Sequence, residues 1–184
     1  MMPAAAEARG VLAAADLVCA ADVVEAAIAR MAEELTAAVG NAYPLMLAVM
    51  GGAVFFAGQL LPRLAFPLDF DYLHVTRYRE RKEGGELDWR VEPHLALAGR
   101  TVVVLDDILD EGHTMAAIRE RVLAAGAQRF LAAVLCEKDL GRSKPIRADF
   151  TGVTVPDRYV FGCGMDVHGM WRNLPAIYAV RREA

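Results

Sequence analysis

The sequence has 184 residues, of which 55% are hydrophobic and 24% are charged, and its net charge is −4. This length suits a single domain with a sizeable buried core. The isoelectric point of about 5.6 disfavours general binding to polyanions, so no nucleic-acid partner is expected.

The start of the chain and the cysteines both predict a cytoplasmic protein. Residues 1–10 contain Glu7 and Arg9 and no apolar run, so no signal peptide is expected. Cys19, Cys136 and Cys163 are far apart in the sequence and form no paired motif. We expect them to be buried or half-buried thiols in a reducing compartment.

Two helices are predicted before the first core strand. Ala4–Ala21 is rich in alanine and predicts a helix. Asp22 and Glu25 resemble a capping box for a second helix, which Gly40 is expected to end. The apolar face of this helix is predicted to contain Val24, Ile28, Met31, Leu35 and Val39.

A strand, a glycine turn and a helix follow. Leu45–Val49 is apolar, Gly51 and Gly52 predict a turn, and Ala53–Leu64 predicts a buried helix. The nearly uncharged stretch is shorter than the ~20 residues that a membrane-spanning helix requires, so no membrane association is expected. Tyr72–Tyr78 then alternates as a strand does, before a polar loop.

The most informative segment begins with the apolar strand Val102–Leu105, which ends at two adjacent carboxylates. Ligands of parallel sheets bind beyond the carboxyl ends of the strands, where Asp106 and Asp107 lie. A Gly-x-Thr turn then opens a helix, and its backbone N–H groups offer an anion site. Carboxylates for hydroxyl groups and N–H groups for a phosphate together suit a phosphorylated sugar.

After that helix, which is predicted to end at Gly126, Phe130–Cys136 predicts another buried strand, and Lys138 lies just beyond it. Ala148–Ala184 predicts short strands and loops. Strands and helices alternate through the middle of the chain, which indicates an α/β fold with a parallel sheet and a small added subdomain.

These motifs resemble a known family. Residues 102–115 match the phosphoribosyl-pyrophosphate (PRPP) loop of type I phosphoribosyltransferases: an apolar strand, two acids, two apolar residues, Asp, x, Gly, x and Thr. The resemblance extends over most of the chain to hypoxanthine-guanine phosphoribosyltransferases. Its most specific matches are Asp149-Phe150-x-Gly152, Pro156-Asp157-x-Tyr159-Val160-x-Gly162, Met165-Asp166 and Trp171-Arg172-Asn173-Leu174.

The resemblance implies a type I phosphoribosyltransferase-like fold, in which helices flank a parallel sheet and the chain ends form a small hood subdomain. We predict one domain over residues 1–184, with a core at about 40–145 and a hood from about 1–20 and 148–184. The implied activity transfers the 5-phosphoribosyl group of PRPP to hypoxanthine or guanine and releases pyrophosphate, as in purine salvage. A homodimer or homotetramer is expected.

The resemblance also implies binding residues for PRPP. The ribose hydroxyls are expected at the two carboxylates, and the 5′-phosphate at the N–H groups of the following turn. The predicted PRPP residues are Asp106, Asp107, Glu111, Gly112, His113 and Thr114. The predicted pyrophosphate residues are Met50, Gly51, Gly52, Arg77 and Arg172, with Arg79, Arg81 and Lys82 as further candidates in the polar loop.

For the base, the resemblance implies catalytic roles for Asp110, as the group that takes the proton from purine N7, and for Lys138, as a donor to the 6-oxygen. Tyr159 is expected to stack on the base, beside the backbone of Val160 and the carboxylate of Asp166. Magnesium is the implied cofactor. The predicted metal residues are Asp106, Asp107 and Asp166.

Two residues depart from the family pattern. Met50 stands where a lysine or arginine is usual, which leaves only backbone donors for pyrophosphate. Glu111 stands where a hydroxyl residue is common, and its carboxylate is expected to point away from the phosphate. These departures motivate an alternative, a PRPP- or nucleotide-sensing regulator without turnover. For the acidic segment alone, a solvated turn or a phosphoacceptor receiver domain are further alternatives, and the choice among hypoxanthine, guanine and xanthine stays open.

Overall fold

The computed structural model describes residues 5–77 and 87–181. A short 3₁₀ turn at Leu61–Arg63 follows the third helix. The helices are α1 (Ala5–Ala13), α2 (Ala21–Val39), α3 (Val54–Leu60) and α4 (His113–Ala124). The strands are β1 (Asp16–Cys19), β2 (Leu45–Met50), β3 (Asp69–Arg77), β4 (Leu87–Val91), β5 (Thr101–Leu109), β6 (Arg129–Asp139), β7 (Phe150–Pro156), β8 (Val160–Phe161) and β9 (Ile177–Ala179).

Six strands form a large sheet in the order β4-β3-β2-β5-β6-β7. Every neighbouring pair is parallel except β3 and β4, which are antiparallel. The carboxyl ends of β2, β5 and β6 therefore meet at one edge of the sheet, where ligands of such folds bind. The predicted α/β fold with a parallel sheet flanked by helices is confirmed.

The two faces of the large sheet bury separate apolar clusters, as β2 illustrates. Met46 and Ala48 pack on one face with residues of α2 and α3, whereas Leu45, Leu47 and Val49 pack on the other. The second face is covered by α4, which buries Met115, Ile118 and Val122. A strand covered on both faces is apolar at every position, which explains why β2 and the first half of β5 lack alternation.

Helix α2 has the predicted apolar face and the predicted end. Its buried residues include Val24, Ile28, Met31, Leu35 and Val39. Gly40 caps its carboxyl end, but the predicted capping box is wrong. Because the helix already begins at Ala21, Ala20 is the N-cap, and Asp22 accepts a hydrogen bond from the neighbouring Val23 N–H.

The chain ends meet in a small antiparallel sheet with the order β1-β9-β8. The prediction of one helix over Ala4–Ala21 is therefore wrong, since α1 ends at Ala13 and β1 pairs with β9. Trp171 links α1 to this region, because its indole N–H donates to the Ala8 carbonyl over 2.7 Å.

Three strands of the large sheet are longer or placed differently than predicted. The ladder between β5 and β6 continues to the pair Leu109 and Glu137, so Asp106, Asp107 and Lys138 lie within strands rather than after them. Strand β7 pairs in parallel with β6. The chain therefore leaves the large sheet after Pro156 and not near residue 148.

The nearly uncharged segment after Pro44 forms β2, a turn and α3, as predicted. Within the described ranges, no helix combines the length and the apolar character that crossing a membrane requires. Cys136 and Cys163 are buried, Cys19 is half-buried, and all three are free thiols.

Candidate active site

Seven of the predicted site residues line a cleft at the carboxyl edge of the large sheet. The cleft has a volume of about 210 Å³ and lies between this edge and the loops of the small sheet. It is lined by Asp107, Ile108, Asp110, Lys138, Tyr159, Val160, Met165, Asp166 and Arg172. All of these except Ile108 and Met165 were given an individual role from the sequence.

Two adjacent carboxylates, those of Asp106 and Asp107, lie near the carboxyl end of β5. The Asp107 N–H donates to the Asp106 carboxylate over 2.9 Å. Burial raises the pKa of Asp106 well above the ordinary carboxyl range, and the charge of Asp107 raises it further. Burial also raises the pKa of Asp107, although its hydrogen bond with Asp106 and the charge of Arg172 oppose this rise. The pair is a crowded acidic site that favours a cation or hydroxyl groups nearby.

The turn after β5 leads directly into the N-terminus of α4. Gly112 is the N-cap residue and has φ of 86°, in the left-handed region that suits glycine. His113 and Thr114 lie in the first helical turn, at the positive end of the helix dipole. The Glu111 carboxylate pairs with Arg142 over 3.4 Å. The turn is thus suited to an anion, with the Glu111 charge partly compensated.

Lys138 and Asp110 form an ion pair at the edge of the cleft. The Lys138 ammonium lies 2.9 Å from Asp110 Oδ2. The Lys138 side chain is 12% exposed, whereas that of Asp110 is 49% exposed. A cationic donor and an anionic acceptor therefore stand side by side, and the acceptor faces solvent.

An aromatic ring lies beside this pair. Tyr159 is 51% exposed, although it is a large hydrophobic residue. Val160 is buried on β8 and pairs with Ala179. The Tyr159 ring is nearly parallel to that of His168, with 6.5 Å between the ring centroids. An exposed ring next to fixed backbone can stack on a flat heterocycle.

Asp166 and Arg172 are bound to each other and to the backbone. Their closest atoms are 2.6 Å apart, and Arg172 also donates to the Gly164 carbonyl over 2.6 Å. The second Asp166 oxygen accepts from the Gly169 N–H. In the described part of the chain, no three His, Cys, Asp or Glu side chains converge into a group able to hold a metal ion. Asp106, Asp107 and Asp166 therefore do not form a preformed three-ligand metal site, and their role as metal ligands stays a prediction.

The loop after β2 reaches the same site. The peptide bond between Met50 and Gly51 is cis. A Cβ atom on Gly52 would overlap the Asp107 carboxylate, and one on Gly164 would overlap the Gly52 carbonyl. The two glycines thus allow three segments of the chain to approach closely.

Part of the predicted pyrophosphate contact involves residues at and after the end of β3. Arg77 is the last residue of β3. Arg79, Arg81 and Lys82 lie outside the described residues, so their role stays a prediction.

Sequence reasoning assigned no role to several residues that shape the site. Ile108 and Met165 line the cleft, and Gly164 packs on Gly52. Ile108 lies two residues from both Asp106 and Asp110, and this spacing in an extended chain indicates a shared face. For Gly164, no local pattern indicates a contact with a loop more than one hundred residues away.

Comparison with known proteins agrees with this geometry. Residues 20–168 match the sequence model of a family described as phosphoribosyl transferase domain. The hypoxanthine-guanine-xanthine phosphoribosyltransferase of Tritrichomonas foetus is 34% identical over 157 residues, covering 85% of this chain and 86% of that protein. The hypoxanthine-guanine phosphoribosyltransferase of Bacillus subtilis is 30% identical over 151 residues, covering 82% and 84%.

Solved structures give the same result. A hypoxanthine-guanine-xanthine phosphoribosyltransferase superposes with a TM-score of 0.82 and 30% identity, over 91% of this chain and 97% of that one. A Staphylococcus aureus hypoxanthine phosphoribosyltransferase has a TM-score of 0.85 at 23% identity, over 90% and 91%, and so supports the fold. The family match, the coverage and the identities place this chain in the phosphoribosyltransferase family, together with the hypoxanthine-guanine phosphoribosyltransferases.

Proposed function

We propose that this protein is an enzyme that transfers the 5-phosphoribosyl group of PRPP to a 6-oxopurine, giving IMP or GMP and pyrophosphate. The observation that carries the proposal is the Lys138–Asp110 pair, with donor and acceptor 2.9 Å apart at the edge of the cleft. A 6-oxopurine protonated at N7 offers an acceptor and a donor on one edge, O6 and N7–H. The pair is complementary to this edge.

The same pair argues against adenine as the base. Adenine carries an amino group at position 6, which would direct N–H groups at the Lys138 ammonium. Two facing donors repel each other and leave the donors at this contact without the acceptor that O6 would supply, which is costly where water is excluded. Tyr159 supplies a stacking surface that suits any purine, so the choice between bases falls to Lys138 and Asp110.

PRPP is assigned to the strand edge beside the base. Asp106 and Asp107 would accept hydrogen bonds from the ribose hydroxyls. The N–H groups from Glu111 to Thr114 would bind the 5′-phosphate, because the N-terminus of α4 carries partial positive charge. Pyrophosphate is assigned to the backbone of Met50, Gly51 and Gly52 together with Arg172 and Arg77.

Magnesium is part of this proposal, with Asp106 and Asp107 as its protein ligands and Asp166 nearby. Mg²⁺ prefers oxygen ligands and usually takes one or two carboxylates along with substrate phosphates, so a crowded acidic pair fits it without a third acid. When bound, the ion neutralises charge on the departing pyrophosphate. The relatives named above as enzymes, and the presence of Asp110 and Lys138, leave the regulator alternative without support.

The chemistry assigned to the protein residues is proton removal and orientation. Purine N9 attacks C1′ of the ribose, and the bond from C1′ to the pyrophosphate oxygen breaks. Asp110 takes the proton from N7 as positive charge develops on the base, while Lys138 stabilises negative charge at O6. Exclusion of water from the cleft would protect the developing sugar cation from hydrolysis. A homodimer or homotetramer in the cytoplasm completes the proposal.

Replacing Gly52 with alanine is expected to lower kcat/KM for PRPP by about tenfold or more. The added methyl group overlaps the Asp107 carboxylate, which must rotate away from the ribose and metal position. Asp107 can rotate, so the fold is expected to survive. Gly58→Ala is the matched control, since its Cβ meets open space in α3. Initial rates and thermal melts of both variants test this, and an unchanged kcat/KM for Gly52→Ala would contradict the placement of Asp107.

The proposed function is tested by initial rates of pyrophosphate release with PRPP and Mg²⁺. Hypoxanthine, guanine, xanthine, adenine and orotate are supplied in parallel, with a no-base control for hydrolysis. Hypoxanthine or guanine is expected to support turnover, and EDTA is expected to abolish it. Absence of turnover with every base, despite measurable PRPP binding, would contradict the enzyme and favour the regulator.

A further inference from the structure

We propose that Lys144, in the loop between β6 and β7, is a positioning residue that fixes the PRPP turn and the Lys138–Asp110 pair relative to each other. The inference rests on the proposed function, because it concerns the geometry of that same site. Lys144 does not line the cleft and is not proposed to touch substrate.

The Lys144 ammonium is buried and directed at the ends of two strands. Its side chain is only 7% exposed. Nζ donates to the Leu109 carbonyl over 2.9 Å and lies 3.4 Å from Glu137 Oε1. The Glu137 carboxylate also accepts from the Thr151 hydroxyl, over 3.1 Å. Lysine is rarely buried unless its charge is paired in this way.

The positions of these acceptors in the chain carry the inference. Leu109 immediately precedes Asp110, and Glu137 immediately precedes Lys138. Leu109 and Glu137 are partners in the parallel ladder of β5 and β6. One ammonium group thus connects the two strands at the residues immediately before Asp110 and Lys138. A shift of this ammonium would move the backbone from which Asp110 and Lys138 project.

The same loop also supports the PRPP turn by packing. The position of a Gly112 Cβ would lie 3.4 Å from side-chain atoms of Lys144, Pro145 and Ile146. Gly112 is in the left-handed conformation at the start of α4, and the loop lies beside the side of Gly112 where a Cβ would stand, so a shift of the loop would also shift the N–H groups that follow. Arg142 of the same loop pairs with Glu111. The loop thus contacts or adjoins the turn at Leu109, Glu111 and Gly112, on both sides of Asp110 in the sequence.

Lys144→Met tests the inference, since it keeps the apolar stem and removes the ammonium. We expect KM for PRPP to rise about tenfold and kcat to fall by a similar factor, because sub-ångström shifts of binding and catalytic groups have effects of this order. Glu137→Gln keeps an oxygen acceptor for Lys144 but removes its counter-charge, so it is expected to change KM for PRPP and kcat in the same direction by a smaller factor. The KM for base is expected to change less than that for PRPP.

Arg100→Met is the matched control for lost stability. Arg100 forms a half-buried ion pair with Asp69 over 2.7 Å, at the opposite end of the sheet from the cleft. Its loss is expected to lower the melting temperature without changing KM for PRPP or kcat. If Lys144→Met does not fold, Ile146→Ala removes packing under Gly112 and is expected to raise KM for PRPP by itself.

The outcomes separate the inference from the proposed function. An inactive wild-type protein contradicts both. An active wild type with unchanged PRPP kinetics in Lys144→Met, or in Ile146→Ala where the former does not fold, contradicts the inference alone. Equal kinetic losses in Lys144→Met and Arg100→Met would also overturn it, since they would indicate a general effect of stability.

Discussion

Asp110→Asn is expected to lower kcat by about 10²–10⁴-fold, the usual contribution of a positioned general base. Asparagine has nearly the same shape but cannot take the N7 proton. The side chain is 49% exposed and lines the cleft, so the substitution is not expected to disturb the core. KM for hypoxanthine is expected to change little, since the amide oxygen still accepts from N7–H.

The control for this prediction is Asp139→Asn. Asp139 lies one residue after Lys138 and accepts a hydrogen bond from the Gly141 N–H, but it does not line the cleft. Its neutralisation is expected to leave kcat unchanged. Equal losses in both variants would mean that local charge, and not proton removal by Asp110, accounts for the effect. Full activity of Asp110→Asn would remove Asp110 from the mechanism.

Lys138→Met is expected to lower kcat/KM for hypoxanthine by about 10²-fold, because a hydrogen bond from a charged donor is worth roughly 1.5–3 kcal/mol. Methionine fills the space of the mostly buried lysine stem. The Asp110 carboxylate then loses its cationic neighbour at 2.9 Å, which adds to the loss.

The diagnostic result for Lys138 is the split between substrates. KM for hypoxanthine is expected to rise, while KM for PRPP stays close to wild type. Adenine is expected to lose less from the substitution than hypoxanthine, since Lys138 does not favour it. Loss of PRPP affinity, with unchanged KM for hypoxanthine, would contradict the prediction, because it would indicate that Lys138 contacts PRPP and not the purine.

The sequence predicts most of the fold because its signals are local. The continuous apolar residues of β2 and β5 indicate strands buried on both faces. The spacing of Val24, Ile28 and Met31 indicates the buried face of α2. What it does not predict is where pairing stops: Asp106 and Lys138 are in strands because the β5–β6 ladder continues past the apolar residues. The polarity of their side chains suggests a strand end, but the backbone hydrogen bonds between strands do not depend on side-chain polarity.

The site was predictable where a motif places several groups in one turn, and not where distant segments meet. The acids of β5 and the glycine before α4 lie within a few residues of each other. The contacts of Gly164 with Gly52, and of Lys144 with Leu109, join segments far apart in sequence. Neither composition nor a local sequence pattern predicts such long-range contacts. Strand β1 was not predicted for the same reason, since it has only four residues and its partner β9 is at the other chain end.

The central claim is that the Lys138–Asp110 pair selects a 6-oxopurine, and the ratio of kcat/KM for hypoxanthine to that for adenine tests it most directly. Both bases are measured with the wild-type protein at saturating PRPP and Mg²⁺. Sites built to bind one polar edge discriminate by about 10⁴-fold, so we expect a ratio of that order. Comparable values for the two bases would contradict the account, because the donor at position 138 would then have no influence on the choice of substrate.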